Sequence, residues 1–103
     1  MRQYDVVAPP RRIGRPFLVV LQHERAGYHT TIAVAPLIRP LPARGSNLIL
    51  TPIVPVLGVP MQLMIPELTH IAPAHVRGEA IDNLDAHAYA IMAALDHLFS
   101  AAG

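Results

Sequence analysis

The side chains able to do chemistry are few in this chain, and their spacing narrows what that chemistry is. There are six histidines: His23 and His29 flank one polar stretch, His70 and His75 another, and His87 and His97 lie ten residues apart near the C-terminus. None falls in an HxxxH or HExxH pattern, the spacings that set two imidazoles on one helix face for zinc. The chain has no cysteine, so neither a thiolate zinc site nor a disulfide framework can form. The expectation is no metal and no cofactor, with the histidines in loops or on the surface. His23-Glu24-Arg25 does place an imidazole, a carboxylate and a guanidinium side by side, the groups of acid–base catalysis near neutral pH. A polar triplet at a strand end reads more simply as a solvated hairpin loop, and spacing alone supplies it no partner. The only serines are Ser46, in a Gly-Ser-Asn turn, and Ser100, near the C-terminus; no serine nucleophile is expected.

The element that any site must be built around is the last stretch, LDAHAYAIMAALDHLFSAAG from Leu84 to Gly103. Leu84, Ala88, Ile91, Leu95 and Leu98 fall at i, i+4, i+7, i+11 and i+14, one apolar stripe of a helix. Asp85 stands where an N-cap carboxylate accepts the free N–H groups of the first turn. A terminal helix on a small β domain is either a lid on the core or a presented binding element. Phe99, near its end, is correspondingly either a core plug or part of a binding tip. Met61, Met64 and Met92 read as core filler, with Met64 and Met92 equally placed for an interface between two copies of the chain.

Before that helix the sequence is punctuated by proline and reads as short strands. Gln3 to Val7 forms a first strand with Tyr4 and Val6 on one face, and Pro9, Pro10 and Gly14 mark a turn. Phe17-Leu18-Val19-Val20-Leu21 is a continuous apolar run, the pattern of a strand buried on both sides or in a tightly curled sheet. His23 to Gly27 is a polar loop, Thr30 to Leu37 a β-branched strand closing a hairpin, and Pro40 to Asn47 a loop. Leu48 to Leu57 is β-like but carries Pro52 and Pro55, which belong at an edge, a bulge or a break. Gly58 makes a tight turn and Pro60 to Ile65 returns as a fifth strand; Glu67 to Pro73 is less regular, and Ala74 to Ala80 holds a short extra strand or a turn around Gly78. Five or so short strands with one terminal helix point to a small curled sheet or partly open barrel.

Composition sets the outer limits. At 103 residues and 52% hydrophobic, the chain supports one domain, 1–103, with one modest core. MRQYDVV has no apolar h-region, so no signal peptide is expected. The apolar runs are broken by Pro52, Pro55, Pro60 and Pro66, and none nears the roughly 20 residues of a membrane span. The expected location is the cytoplasm. Net charge is +1, which argues against a strong polyanion partner. All eight basic residues are Arg; Arg2, Arg11, Arg12, Arg15 and Arg25 lie in the first 25 positions, and five of the seven acids lie from Glu67 onward. The basic cluster reads as a solvated edge and turn rather than a nucleic-acid patch.

The order of these pieces resembles the CcdB toxin family of bacterial toxin–antitoxin modules. RPFLVVLQ (Arg15 to Gln22) is similar to that family's Arg-led second strand, and TTIAVAPL (Thr30 to Leu37) to its strand ending in Pro-Leu. LTPIVPVLGVPMQLMIPELTHIA (Leu50 to Ala72) resembles its central strand, Gly-containing turn and Met-containing return strand. Val76-Arg77-Gly78-Glu79 resembles the Gly-Glu turn before the helix, and Asn83 to Phe99 the helix itself, ending in Leu-Phe. The resemblance implies a mainly β fold with a C-terminal helix, an SH3-like partly open barrel of the CcdB/Kid/MazF type, assembled as a two-fold homodimer. It implies a toxin with no catalysis that binds the GyrA chain of DNA gyrase, inhibits the topoisomerase and is neutralised by a cognate antitoxin. Operator DNA would be met only through the toxin–antitoxin complex, and no membrane is involved.

On this resemblance the target-facing element is the helix tip, His97, Phe99, Ser100, Ala101 and Ala102, and the dimer interface includes Met64, Met92 and Leu95. The Pro-rich loops would help shape the antitoxin groove. One departure bears on the target. Gyrase-poisoning members end the helix Phe-Trp-Gly-Ile, whereas here Phe99 is followed by Ser100, Ala101 and Ala102, and the chain has no Trp. Aromatic anchors commonly carry about 2 kcal/mol or more each at an interface, so this tail is expected to weaken the usual contact. Ala88 and Ala93 also stand where the family has Glu and Asn. Two other readings follow: a family member that keeps the fold but has another target, or a Kid/MazF-style endoribonuclease. The latter would need His23, Glu24 and Arg77 to converge on one concave face.

Overall fold

In the computed structural model the described residues are 1–8, 17–26, 30–41 and 48–100, with residues 77 and 78 described by backbone alone. The expected turn at Pro9, Pro10 and Gly14, most of the Pro40–Asn47 loop, His29 and the tail residues Ala101 and Ala102 lie outside them. Among the described residues seven strands form one antiparallel sheet: β1 (Asp5–Ala8), β2 (Leu18–Val20), β3 (Ile32–Ile38), β4 (Ile53–Val56), β5 (Val59–Leu63), β6 (Thr69–Ile71) and β7 (Arg77–Asn83). An α-helix, α1 (Ala88–Ser100), follows a 3-10 turn at Asp85–His87. The strands run in the order β4-β5-β3-β2-β1-β7, with β6 added to β3. The chain is thus mainly β, a curled, half-open barrel with a C-terminal helix, as the sequence leads one to expect.

β3 is the spine of the sheet. Along one edge it pairs with β2, Leu18 opposite Pro36 and Val20 opposite Val34. Its other edge is divided between two partners. Ile32, Ala33 and Val34 meet β6, and Leu37 and Ile38 meet β5. Pro36 lies between the two partners, where it has no N–H to offer either.

The apolar run of β2 is explained by burial on both sides. Val19 and Leu21 join Val6, Leu37, Leu63, Leu84 and Ile91 in the main core cluster. Leu18 and Val20 join Val7, Ile32 and Val34 in a second cluster. Side chains alternate across a strand, so both faces of this central strand are covered. α1 closes the main cluster with the expected stripe: Leu84 and Ile91 are fully buried, and Ala88, Leu95 and Leu98 pack against them with Ala94. Burying a side chain such as Ile91 contributes about 1.5–3 kcal/mol.

Glu67 to Pro73, expected to be less regular, contains β6, and of the two readings of Ala74 to Ala80 the extra strand holds and the turn around Gly78 does not: Arg77 to Asn83 runs as a seven-residue strand, the joint longest in the sheet. Its sequence, RGEAIDN, has little β propensity. Pairing with β1 makes it a strand, Asp5 opposite Asn83 and Val6 opposite Asp82, with the register shifting before Ala8 meets Arg77. At the other end of the sheet only Ile53–Val56 of Leu48–Leu57 is strand, and residues 48–50 form a turn. Pro55 and Pro60 face each other across the β4–β5 hairpin. The position next to the closing pair of a two-residue hairpin exchanges no ladder bonds, so neither proline breaks one. Gln62, fully buried, is satisfied on three sides: its Nε2 donates to the Thr51 carbonyl at 3.1 Å and Oγ1 at 2.8 Å, and its Oε1 accepts the Leu41 N–H at 2.8 Å.

The hairpin turn itself is strained at one residue. Leu57 and Gly58 both have positive φ, 51° and 81°, as a type I′ turn requires. Gly58 adopts this freely, but Leu57 does so against its Cβ. Its side chain is 69% exposed, so little packing offsets the cost. Leu57→Gly is therefore expected to raise stability by about 0.5–1 kcal/mol, read as a higher urea midpoint. A lower midpoint would mean that the leucine side chain holds the turn down.

Candidate functional site

The C-terminal helix is launched by a polar joint between the ends of the chain. Asn83, last residue of β7, donates from Nδ2 to the Gln3 carbonyl at 3.1 Å and to Asp5 Oδ1 at 2.9 Å. Its Oδ1 accepts the Asp85 N–H at 2.8 Å. Asp5 Oδ2 accepts the Arg2 N–H at 2.7 Å, and the Leu84 N–H donates to the Tyr4 carbonyl at 2.9 Å. This leaves Tyr4 at φ 68°, outside ordinary strand geometry, with its ring buried in the main cluster. Burial, and secondarily the Asp85 charge, pushes its phenol pKa above the ordinary value. Asp85 is not the N-cap its position predicts. No backbone N–H of the helix reaches its carboxylate; Arg2 Nη2 lies 3.3 Å from Oδ2 instead, and the cap is made by Asn83.

The joint fixes which face of α1 meets the core and therefore which face is left outside. Phe99 is 71% exposed, so it does not plug the core. Met92 is 53% and Tyr89 90% exposed. Met92 and Phe99, seven residues apart, lie on the same flank of the helix. Ser100 is exposed and His97 half-buried. Ile49, from the turn after the Pro-rich loop, meets Ala93, Asp96, His97 and Ser100 in a shallow open groove beside the tip. Of the expected tip residues, His97, Phe99 and Ser100 are thus gathered at the end of the helix, while Ala101 and Ala102 lie outside the described residues. Of the three dimer candidates, Met92 is exposed, Met64 is half-buried where β5 ends, and Leu95 packs into the chain's own core. Ile49 and Asp96 carry no signal in the sequence. Leu48-Ile49 reads as the start of a strand, and nothing in periodicity brings it to a helix 44 residues later.

Of the groups that ribonuclease chemistry would need, the structure brings His23 and Glu24 together. His23 and Glu24 are neighbours, Nε2 to Oε1 3.7 Å, and the His23 Nδ1 accepts the Arg25 N–H at 2.9 Å. Glu24 Oε2 accepts the Gln3 N–H at 2.9 Å. That bond, then the residue's own N–H, holds its carboxyl below the usual carboxylate range. This pair therefore sits at the Gln3 end of β1, whereas the Arg77 backbone pairs with Ala8 at the other end. The five residue steps from Gln3 to Ala8 span roughly 16 Å at strand rise.

The described residues thus form a half-open antiparallel barrel closed by a terminal helix, with the apolar stripe inside and an aromatic exposed at the tip. The family model described as CcdB protein matches residues 3–101, and the chain belongs to the CcdB family. Membership supports a toxin of a toxin–antitoxin module, in a family whose members act without catalysis. A comparison with curated proteins finds no match.

Removing the joint is expected to cost more than removing its exposed ion pair. Asn83→Ala deletes three hydrogen bonds from a half-buried position and should destabilise by about 2–3 kcal/mol. Arg2→Ala removes an exposed pair with Asp85 and should cost less than about 1 kcal/mol. Chemical denaturation of both variants checks the order; equal losses would show that the joint rests on the ion pair.

Proposed function

We propose that this chain is the toxin of a type II toxin–antitoxin module and acts as one CcdB-like domain, 1–103, in the cytoplasm. It works as a two-fold homodimer that binds the GyrA chain of DNA gyrase through the helix tip and inhibits the topoisomerase. A cognate antitoxin neutralises it, and the two together repress their operon. The observation that carries this reading is the exposed Phe99 at the end of a helix whose other face is locked into the core. A large aromatic held out on a rigid element is what an interface anchor needs. His97 and Ser100 flank it, Ala101 and Ala102 continue it, and Met92 with Met64 supplies apolar surface to the second copy. Leu95, drawn into its own core, contributes less to that interface than its type implies.

A second reading rests on Ser100, which stands where gyrase-poisoning members carry Trp. In it the chain keeps the fold, the dimer and the antitoxin but has another target.

Binding of the purified protein to the dimerisation domain of its host's GyrA, with trapping of the cleaved complex read in parallel, separates the two. The first reading expects binding and trapping, with Phe99→Ala weakening affinity by about tenfold or more. Absence of binding by a folded dimer overturns it in favour of the second. If Ser100→Trp, with Gly and Ile at 101 and 102, then restores binding, the loss lies in the anchor alone; if not, the rest of the helix face has diverged too. Sedimentation of the free protein tests the dimer, and a monomer at micromolar concentration would remove it.

A further inference from the structure

The β4–β5 hairpin is an arm more than a part of the sheet. β5 meets β3 only at Leu37 with Leu63 and Ile38 with Gln62. β4 and β5 go on pairing with each other out to Val56 opposite Val59. The segment from Ile53 to Met61 thus reaches beyond β3 as a two-stranded ribbon, with no third strand beside it among the described residues. Its inner side chains, Val54 and Val56, are buried on the main core cluster, and Met61 packs there too. Its outer side chains, Ile53, Leu57 and Val59, are exposed. Two-stranded ribbons are marginal by themselves, so the arm depends on what it lies against and on how its tip is held.

The tip is held by one carboxylate. The Leu57 N–H donates to Asp82 Oδ2 at 2.8 Å, while Oδ1 of the same side chain accepts the Asn83 N–H at 2.8 Å. β4 lies at one end of the strand path and β7, which carries Asp82, at the other. The bond therefore joins the two free ends of the curled sheet, 25 residues apart in the chain. The positive φ of Leu57 is part of this geometry, since a type I′ turn closes the hairpin there.

We infer that Asp82 is a latch: it fastens the tip of the β4–β5 arm to β7 and closes the half-barrel over the core, and its release frees the arm as a unit. β1, β2, β3 and β7 are tied by their own ladders and keep their pairing when the arm opens. Local opening of this kind takes less free energy than global unfolding. The latch needs the charged carboxylate. The Leu57 N–H first, and the Asn83 N–H second, hold the Asp82 carboxyl below the usual carboxylate range, with a smaller contribution from the nearby His87. A depressed value in the folded state gives a stabilisation that is full above the ordinary carboxylate range and lost as pH falls through the depressed value. The device is independent of the gyrase reading, because no residue of the helix tip takes part.

Amide hydrogen exchange on the full chain, followed residue by residue, tests it. In Asp82→Ala at neutral pH the arm amides of Val54, Val56, Val59 and Met61 should exchange about five- to tenfold faster than in the wild type. Val19 and Val34, in β2 and β3, should change by less than about twofold. Asp82→Asn, which keeps the shape and one acceptor oxygen, should fall between and guards against a variant that fails to fold. As pH is lowered through the carboxylate range, the ratio of arm to β3 exchange should rise in the wild type and stay flat in Asp82→Ala. Equal acceleration of every strand would make Asp82 a general stabilising residue and overturn the latch. No acceleration of the arm would overturn it as well, leaving the packing of Val54, Val56 and Met61 to hold the arm.

Discussion

The structure depends on how β7 turns into the helix. Asn83 uses both ends of its amide there, donating to the N-terminal segment and accepting from the helix start. With the Leu84 N–H held by the Tyr4 carbonyl, the axis and rotation of α1 are set before its first full turn. A rotation of one residue, about 100°, would carry Ile91 away from the core and turn Met92 toward it. The joint therefore decides both what seals the main cluster and which side chains are left exposed. It also explains why Tyr4 tolerates a positive φ: the surrounding bonds over-determine it, and its ring gains a place in the core.

The parts of the fold legible in the sequence are those where one residue pattern has one physical solution. The stripe from Leu84 to Leu98 matches a helix and nothing else, and it is the face that packs. The run Phe17–Leu21 demands cover on both sides, and two core clusters supply it. β7 is legible only as one of two alternatives, a short strand or a turn around Gly78, because its strand state comes from pairing with β1 and not from RGEAIDN itself. Asp85 misleads for a related reason. Local spacing makes it a cap, but Arg2 reaches it from 83 residues away, while Asn83, two residues before it, does the capping. The groove at Ile49 is beyond reach because it is a long-range contact between a turn and a helix.

The stretch from Leu48 to Pro66 contains no ionisable side chain and exposes Leu48, Ile49, Ile53, Leu57 and Val59. Such a segment, placed at the end of a sheet, invites pairing with other chains. The prolines answer this by position. Pro55 and Pro60 stand opposite each other, where their missing N–H groups face away from the hairpin's own ladder. At the outer edge of β4 that leaves Pro55 with no donor for an incoming strand. The same placement that spares the hairpin thus blunts the edge of the sheet.

The two faces of the helix are constrained differently, and this separates what family membership carries. The inner face is constrained by every element it touches: Leu84, Ile91 and Ala94 are packed to near-zero exposure among residues from β1, β2, β3 and β5. Changes there are felt as cavities or clashes, so the stripe must persist wherever the fold does. The outer face and tip touch little of the chain itself. Replacing an aromatic at position 100 by Ser, or a polar residue at 93 by Ala, costs the fold almost nothing, since alanine is the best helix former and both positions are exposed. A chain that keeps the stripe, the joint and Phe99 but not the Trp has therefore retained everything that folding enforces, and at Phe99 one residue that folding does not.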